Sequence, residues 1–203
     1  MTEFRKKQAW VLVLAALLPV AGQQQVPITK NEFMRKLVAA AVERTNHHVR
    51  YVSDYVSIPY PDGDVPADTG VCTDEVIRSY RTVGIDLQKE VHEDIVRAFG
   101  AYPHGEQRHP DKNIDHRRVP NLMVFFSRKG EKFPPSNRLE DYSPGDIVAW
   151  DLGGGITHIG IVVDRKGASG RYMVVHNIGR GPQMEDVLFH WKVIGHYRYY
   201  GPR

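Results

Sequence analysis

Helical patterns come first in this chain and strand patterns come last, and this order limits the folds that it can adopt. Apolar residues recur at helical spacing within 31–44, and two further helices are predicted for 72–83 and 89–99. From residue 121 onward the pattern is that of short strands bounded by Gly, Pro or Asp, at 122–127, 146–150, 158–163, 172–176 and 193–200. Segregated helices and strands are typical of α+β proteins with an antiparallel sheet, and not of alternating βαβ units.

Local signals set the expected ends of these elements. Asn31 is the predicted N-cap of the first helix, and Gly84 should end the second because glycine tolerates a left-handed turn. Residues 49–58 are expected to form a short extended segment, and 60–70, rich in Asp, Pro and Gly, a loop.

The first 22 residues have the pattern of an export signal. Three basic residues precede an apolar run from Ala9 to Val20, and the small residues Ala21 and Gly22 predict cleavage before Gln23. An uncleaved anchor is the alternative. We therefore expect an exported protein of the periplasm or cell envelope with a flexible mature N-terminus at 23–30. A single domain, with no further membrane span, is expected over 31–203.

Charge argues against a nucleic-acid partner. The formal net charge is +3, of which residues 1–22 contribute +2 (Arg5, Lys6 and Lys7 against Glu3), so +1 remains for the rest. A nearly neutral body with mixed signs lacks the basic surface that nucleic acids require. We expect a monomer that uses no cofactor.

Cys72 is the only cysteine in the chain. In an exported protein most cysteines form disulfides, so a lone thiol is either a small buried residue or a reactive group. Cys72 falls at the predicted start of a helix, where unpaired N–H groups and the helix dipole favour a thiolate. We interpret Cys72 as a candidate nucleophile.

Two histidines lie where neighbouring strands should meet. His158 opens one predicted strand and His176 closes the next, so an antiparallel pair would bring the two imidazoles together. His158 could then accept the Cys72 proton while His176 orients the His158 ring. Asn177 is the rival for the orienting role, but it should point to the opposite face of the strand.

These segments resemble those of a known enzyme superfamily. A helix-initial Cys72, a G-D-I-V-A-W strand at 145–150, an H-I-G-I-V strand at 158–162 and a V-V-H-N strand at 174–177 are similar to the NlpC-type peptidoglycan cysteine peptidases. The strings at 113–122, 176–179 and 195–199 further resemble the bacterial domain of unknown function family 1287, within the same superfamily. The resemblance covers about residues 35 to 200. It implies a papain-like fold with N-terminal helices on a C-terminal antiparallel sheet.

The resemblance also implies a site and a substrate. It places the catalytic Cys-His-His triad on Cys72, His158 and His176, with peptidoglycan or a peptide as substrate, and Tyr60 corresponds to a tyrosine that helps to form the oxyanion site. This chain departs from the pattern around Cys72, where Val71, Thr73 and Asp74 replace the usual residues; Asp74 is interpreted as a helix cap.

The polar segment at 101–120 supplies candidate substrate-binding residues. Arg117 and Arg118 could grip substrate carboxylates, as a guanidinium does bidentately, and the adjacent Asp115 and His116 are included as candidates. An ion pair with Asp111 or Asp115 is the alternative role for the arginines.

Three other functions stay open at this level. The histidines at 104, 109, 116, 158 and 176, with Asp111 and Asp115, could form a zinc-dependent hydrolase site, although no tight metal motif is present. A non-catalytic module that binds peptidoglycan or a protein could use the same fold. The same triad could also complete an acyl transfer instead of hydrolysis, and the bond cleaved is not specified by the sequence.

Overall fold

The computed structural model describes residues 29–202, so the predicted export signal and almost all of the predicted N-terminal tail lie outside the described residues. The helices are α1 (Lys30–Arg44), α2 (Cys72–Thr82), α3 (Leu87–Arg97) and α4 (Val119–Lys129). The strands are β1 (Arg50–Tyr51), β2 (Thr69–Gly70), β3 (Glu131–Phe133), β4 (Ile147–Asp151), β5 (Thr157–Lys166), β6 (Tyr172–Asn177), β7 (Pro182–Glu185) and β8 (Lys192–Arg198). Between residues 29 and 202, no helix combines the length and apolar character that crossing a bilayer requires.

The C-terminal strands form the expected antiparallel sheet. Its order is β3-β8-β4-β5-β6-β7, and every neighbouring pair runs antiparallel. Strands β1 and β2 form a separate parallel pair that places Tyr51 opposite Gly70. The class is therefore α+β with helices first and an antiparallel sheet last, as the sequence predicts.

Both faces of the sheet are buried, and they carry different clusters. The face that packs on the helices, in the cluster that contains Cys72, presents Ile147, Ala149, Ile159, Ile161, Val163 and Val175. The opposite face packs under the 187–191 segment and presents Val148, Trp150, Val162 and Val174. Because side chains alternate along a strand, His158 and His176 have the parity of this outer face.

The Gly-Asp-Ile-Val motif has a structural role at its aspartate. The fully buried Asp146 carboxylate accepts the Ser143 N–H at 2.8 Å, lies 2.6 Å from His196 Nε2 and pairs with Arg198. This network joins the start of β4 to β8 and satisfies the buried charge.

The main error of the sequence prediction lies at 122–127, which is not a strand but the middle of α4. Leu122, Phe125 and Phe126 are fully buried at the i, i+3, i+4 spacing of one helix face. Pro120 lies in the first turn, where its missing N–H costs nothing. A short apolar run does not by itself distinguish a strand from a buried helix.

Smaller corrections concern the ends of elements. The N-cap of α1 is Thr29, whose hydroxyl accepts the Glu32 N–H at 3.1 Å, and Asn31 lies inside the helix. Only Arg50–Tyr51 of the predicted 49–58 segment forms a strand. Gly84 follows α2 with φ +86°, as expected of a glycine that ends a helix.

Candidate active site

Cys72 is the first residue of α2, as the sequence predicts. Its helix start is held by Asp74, whose carboxylate accepts the Val71 N–H at 2.7 Å. Asp74 therefore acts as the predicted cap. Arg78, one turn further along α2, donates to the carbonyl of Thr69 at 2.9 Å and to Asp64 at 2.9 Å, which fixes the segment that leads into Cys72.

The Cys72 thiol is buried and neutral in this structure. Only 5% of the residue is exposed. Burial raises the pKa of the thiol to about 12, and Asp74 raises it further, while backbone N–H groups of Ile159, Thr73 and Cys72 itself act in the opposite direction. Here desolvation outweighs the helix start, so the thiolate expected from the sequence is not the resting form.

A cavity of about 690 Å³ lies in front of Cys72. Its walls come from the β1 segment, the start of α2, the start of α4 and the loop at 103–107, and Thr157 lies at its edge. A larger cavity of about 940 Å³ lies between α3, α4 and the C-terminal residues, and Cys72 does not line it. The smaller cavity is therefore the candidate active site, because Cys72 lines it.

Tyr51, not Tyr60, is the tyrosine at this site. The Tyr51 hydroxyl contacts Cys72, and burial, followed by the charges of Cys72 and Asp74, raises its pKa to about 12. Tyr60 packs on His92, with 5.3 Å between the ring centroids, and does not line the Cys72 cavity. The expected position of an oxyanion-site tyrosine is therefore corrected from Tyr60 to Tyr51. Pairing of β1 with β2 is the cause, because it places Tyr51 beside the residues that precede Cys72.

His158 and His176 meet as the strand order predicts. The distance from His158 Nε2 to His176 Nδ1 is 2.9 Å. Trp150 stacks on the His158 ring and Trp191 closes the other side, so tryptophans shield the pair from water.

Gly160 makes room for this pair. A Cβ at Gly160 would lie 2.8 Å from the Val175 carbonyl oxygen and 3.1 Å from His176 Cβ. A glycine is thus required where β5 passes His176.

A carboxylate extends the pair. Oε2 of Glu185 lies 2.9 Å from His176 Nε2, in a bent contact, and His176 is fully buried. Asn177, the rival of His176, instead accepts the Gly179 N–H at 3.1 Å with its side-chain oxygen. The side chain that contacts His158 is that of His176.

Both histidines are neutral. Burial, and then the neighbouring His176, lowers the pKa of His158 to about 3. Burial also lowers the pKa of His176, although Glu185 acts in the opposite direction. A neutral imidazole can accept a proton, which a general base must do.

Within residues 29–202 no hydrogen bond joins Cys72 to His158, and their side chains belong to opposite faces of the sheet: Cys72 packs in the cluster of the helical face, and His158 packs with Trp150 of the outer face. The Ile159 N–H reaches the Cys72 sulfur, and Thr157 lines the same cavity. The residues on either side of His158 thus face the thiol, while the His158 ring packs on Trp150. A proton transfer between the two side chains would therefore require the His158 ring to leave its packing on Trp150.

Three of the predicted substrate-binding residues are buried: Arg117 and Asp115 have internal partners, although Arg117 also lines the Cys72 cavity, whereas Nδ1 of His116 has no hydrogen-bond partner. Arg117 pairs bidentately with Asp74 at 2.9 and 3.0 Å, and both side chains are 3% exposed. Asp115 accepts from the Asp111 N–H and lies 2.9 Å from His92 Nδ1. Burial, and then the charge of Arg117, lowers the pKa of His116 to about 3. Substrate binding by these three residues stays a prediction, and the charges of Arg117 and Asp115 are already satisfied by internal partners.

Arg118 is the most exposed of the four predicted substrate-binding residues. It is half-buried, lines the Cys72 cavity and donates to Gln107 Oε1 at 3.0 Å. The partner predicted from the sequence, Asp111 or Asp115, is not the one it binds.

No group of three or more His, Cys, Asp or Glu side chains within residues 29–202 is arranged to hold a metal ion. The histidines of the proposed zinc site are dispersed: His104 stacks on Phe99 with 4.5 Å between ring centroids, and His116 is buried beside Arg117. The zinc alternative gains no support from the described residues.

Sequence reasoning missed two residues of the site. Tyr51 lies in a two-residue strand, too short for a periodic pattern, and Glu185 lies in β7, which has no β-branched run. Only the pairings β1–β2 and β6–β7 bring them to Cys72 and His176.

Solved structures similar to this chain include NlpC1 from Trichomonas vaginalis, at 14% identity and a TM-score of 0.44, covering 85% of this chain and 45% of that one. A second is an N-acetylmuramoyl-L-alanine amidase from Bacteroides uniformis, at 13% identity and a TM-score of 0.49, covering 82% of this chain and 98% of that one. The chain thus spans about half the length of the NlpC protein.

Comparison of sequences finds a relative with much higher identity. The "Uncharacterized protein YijF" of Escherichia coli (strain K12) is 52% identical over 151 residues, which is 74% of each chain. Residues 38–199 match the family described as Domain of unknown function (DUF1287). The chain belongs to this family, as its motifs predict.

Proposed function

We propose that this protein is an exported cysteine hydrolase that cleaves an amide bond in peptidoglycan stem peptides. The observation that carries the proposal is the 2.9 Å contact between His158 of β5 and His176 of β6. Ile159, the residue after His158, directs its N–H at the Cys72 sulfur. A thiol at a helix start, a neutral imidazole and an orienting imidazole are the parts of a triad. Export rests on the pattern of residues 1–22.

The mechanism follows from the protonation states. Because the thiol and His158 are both neutral, attack does not begin from a preformed ion pair. Instead, His158 takes the Cys72 proton as the sulfur adds to the amide carbonyl, and then delivers it to the leaving amine. Water hydrolyses the thioester in the second step. The His158 ring must approach the sulfur for the first transfer, which the proposal requires of the substrate complex.

Tyr51 and the backbone are assigned to the oxyanion. The Tyr51 hydroxyl and the Cys72 N–H both lie beside the sulfur, and in the proposed reaction they would donate to the carbonyl oxygen as it becomes negative. Arg118, on the cavity wall, is assigned to a substrate carboxylate.

The test is mass analysis of fragments from purified peptidoglycan incubated with the wild type and with Cys72→Ala. Wild type should release new fragments, and Cys72→Ala should release none while keeping its circular-dichroism spectrum. Equal cleavage by both proteins would overturn the proposal. Chelator should leave activity unchanged, and a loss restored by Zn²⁺ would favour the metal alternative.

The burial of Cys72 favours a second candidate, a non-catalytic module that binds peptidoglycan. Such a module would sediment with peptidoglycan but release no fragments, and Cys72→Ala would bind as well as the wild type.

A separate test concerns the third residue of the triad. Replacing His176 should reduce cleavage more than replacing Asn177, and the reverse order would assign the third position to Asn177.

A further inference from the structure

Two histidines and a carboxylate form a continuous chain across three strands. His158 lies in β5, His176 in β6 and Glu185 in β7, with 2.9 Å at each contact. Neighbouring pairing of these strands fixes the order, so each group meets only the next. Each neutral imidazole has one N–H and one lone pair, so either ring nitrogen of each histidine could carry the proton.

The carboxylate sets that direction. An ionised carboxylate carries no proton and only accepts, so the stable arrangement keeps the Nε2 proton of His176 next to Glu185, although the 2.9 Å contact is too bent to be a hydrogen bond. His176 Nδ1 then carries a lone pair and accepts from His158 Nε2–H. The reverse arrangement would put the lone pair of His176 Nε2 against a carboxylate oxygen 2.9 Å away. In a fully buried residue that repulsion is poorly screened.

We propose that Glu185 is a positioning residue that fixes the tautomers of both histidines and leaves the lone pair of His158 on Nδ1, the nitrogen that the proposed hydrolase would use as its base. This inference rests on the proposed hydrolase for its catalytic meaning, although the tautomers themselves do not depend on it. Within residues 29–202 no hydrogen bond engages His158 Nδ1, which leaves that atom available.

Few other charged groups surround His158, His176 and Glu185. Trp150 and Trp191 pack on the imidazoles, and the register partner of His176 in β7 is the neutral Gln183. Arg180, on the β6–β7 turn, pairs with the other oxygen of Glu185 at 3.3 Å and is 76% exposed. Arg180 is therefore a suitable control, because removing it leaves the carboxylate in place.

Nitrogen-15 NMR of histidine-labelled protein reads the tautomers directly. In the wild type at pH 7 we expect His158 and His176 each to carry the proton on Nε2. Glu185→Ala should shift both histidines toward mixed tautomers, whereas Arg180→Ala should leave them as in the wild type. Glu185→Gln, whose amide oxygen can still accept, should retain the wild-type tautomers.

Kinetics give the second readout. Glu185→Ala should lower kcat at least about tenfold with KM within about twofold, and Glu185→Gln should recover part of the loss. Wild-type His158 protonated on Nδ1, or tautomers unchanged in Glu185→Ala, would overturn the assignment. If the tautomers are as expected but wild type cleaves no peptidoglycan, the assignment stands and the proposed function fails.

Discussion

Replacing Arg117 tests whether it is a buried structural residue or a substrate-binding group. Arg117 makes two charge-assisted hydrogen bonds to Asp74, at 2.9 and 3.0 Å, and a further contact to the Asp54 carbonyl at 3.3 Å. Arg117→Ala leaves the Asp74 carboxylate, 3% exposed, with only the Val71 N–H as a partner. Removing one member of a buried ion pair costs about 3–5 kcal/mol, so we expect a loss of this size in the free energy of unfolding.

Urea unfolding followed by tryptophan fluorescence measures this loss. Arg118→Ala is the matched control, because the neighbouring Arg118 lacks a carboxylate partner and should change stability by less than about 1 kcal/mol. Combining Arg117→Ala with Asp74→Asn, which removes the charge but keeps the cap, should cost at least about 1 kcal/mol less than the sum of the single changes. A loss below about 1 kcal/mol in Arg117→Ala, with weakened substrate binding, would refute the buried-pair reasoning.

Two further predictions concern the histidine pair. Because the pKa of His158 is lowered to about 3 from 6.5, the unfolded chain binds a proton there that the folded chain does not. The stability contributed by the neutral ring is therefore complete above pH 6.5 and is lost as the pH falls toward 3, by at most about 1.4 kcal/mol per pH unit for this group. Urea unfolding at pH 7 and pH 4.5 should show a smaller acid loss for His158→Gln than for wild type, and equal losses would contradict the assignment. Gly160→Ala should destabilise the protein by roughly 1–3 kcal/mol, because its Cβ would lie 2.8 Å from both the Val175 carbonyl oxygen and Val174 Cγ1. An unchanged melting temperature in that variant would contradict this prediction, because it would mean that a Cβ at residue 160 fits between β5 and β6.

Much of the fold can be predicted from local signals because those signals coincide with the final packing. The helix that begins at Cys72 has a capping Asp74 and a terminating Gly84, and the strand segments at 158–163 and 172–176 have β-branched runs with clear ends. Antiparallel pairing of such strands brings His158 and His176 together without further information.

The rest depends on contacts between distant segments. The apolar run at 122–127 is compatible with either a strand or a helix. It forms a helix because one helical face is buried against the sheet. Arg117 looks exposed in a polar segment, and only the fold brings Asp74 to it. The pKa of Cys72 likewise depends on how deeply α2 is covered, which no local pattern encodes.

Because the chain has a single cysteine, alkylation can test its role without any substitution. Because the thiol is buried and its pKa is raised, iodoacetamide at pH 9 should add one carbamidomethyl group at Cys72 only slowly, and intact mass gives the modified fraction at each time point. We predict that peptidoglycan cleavage falls in proportion to that fraction and is abolished at one group per chain. A fully alkylated protein that still cleaves peptidoglycan would contradict Cys72 as the nucleophile.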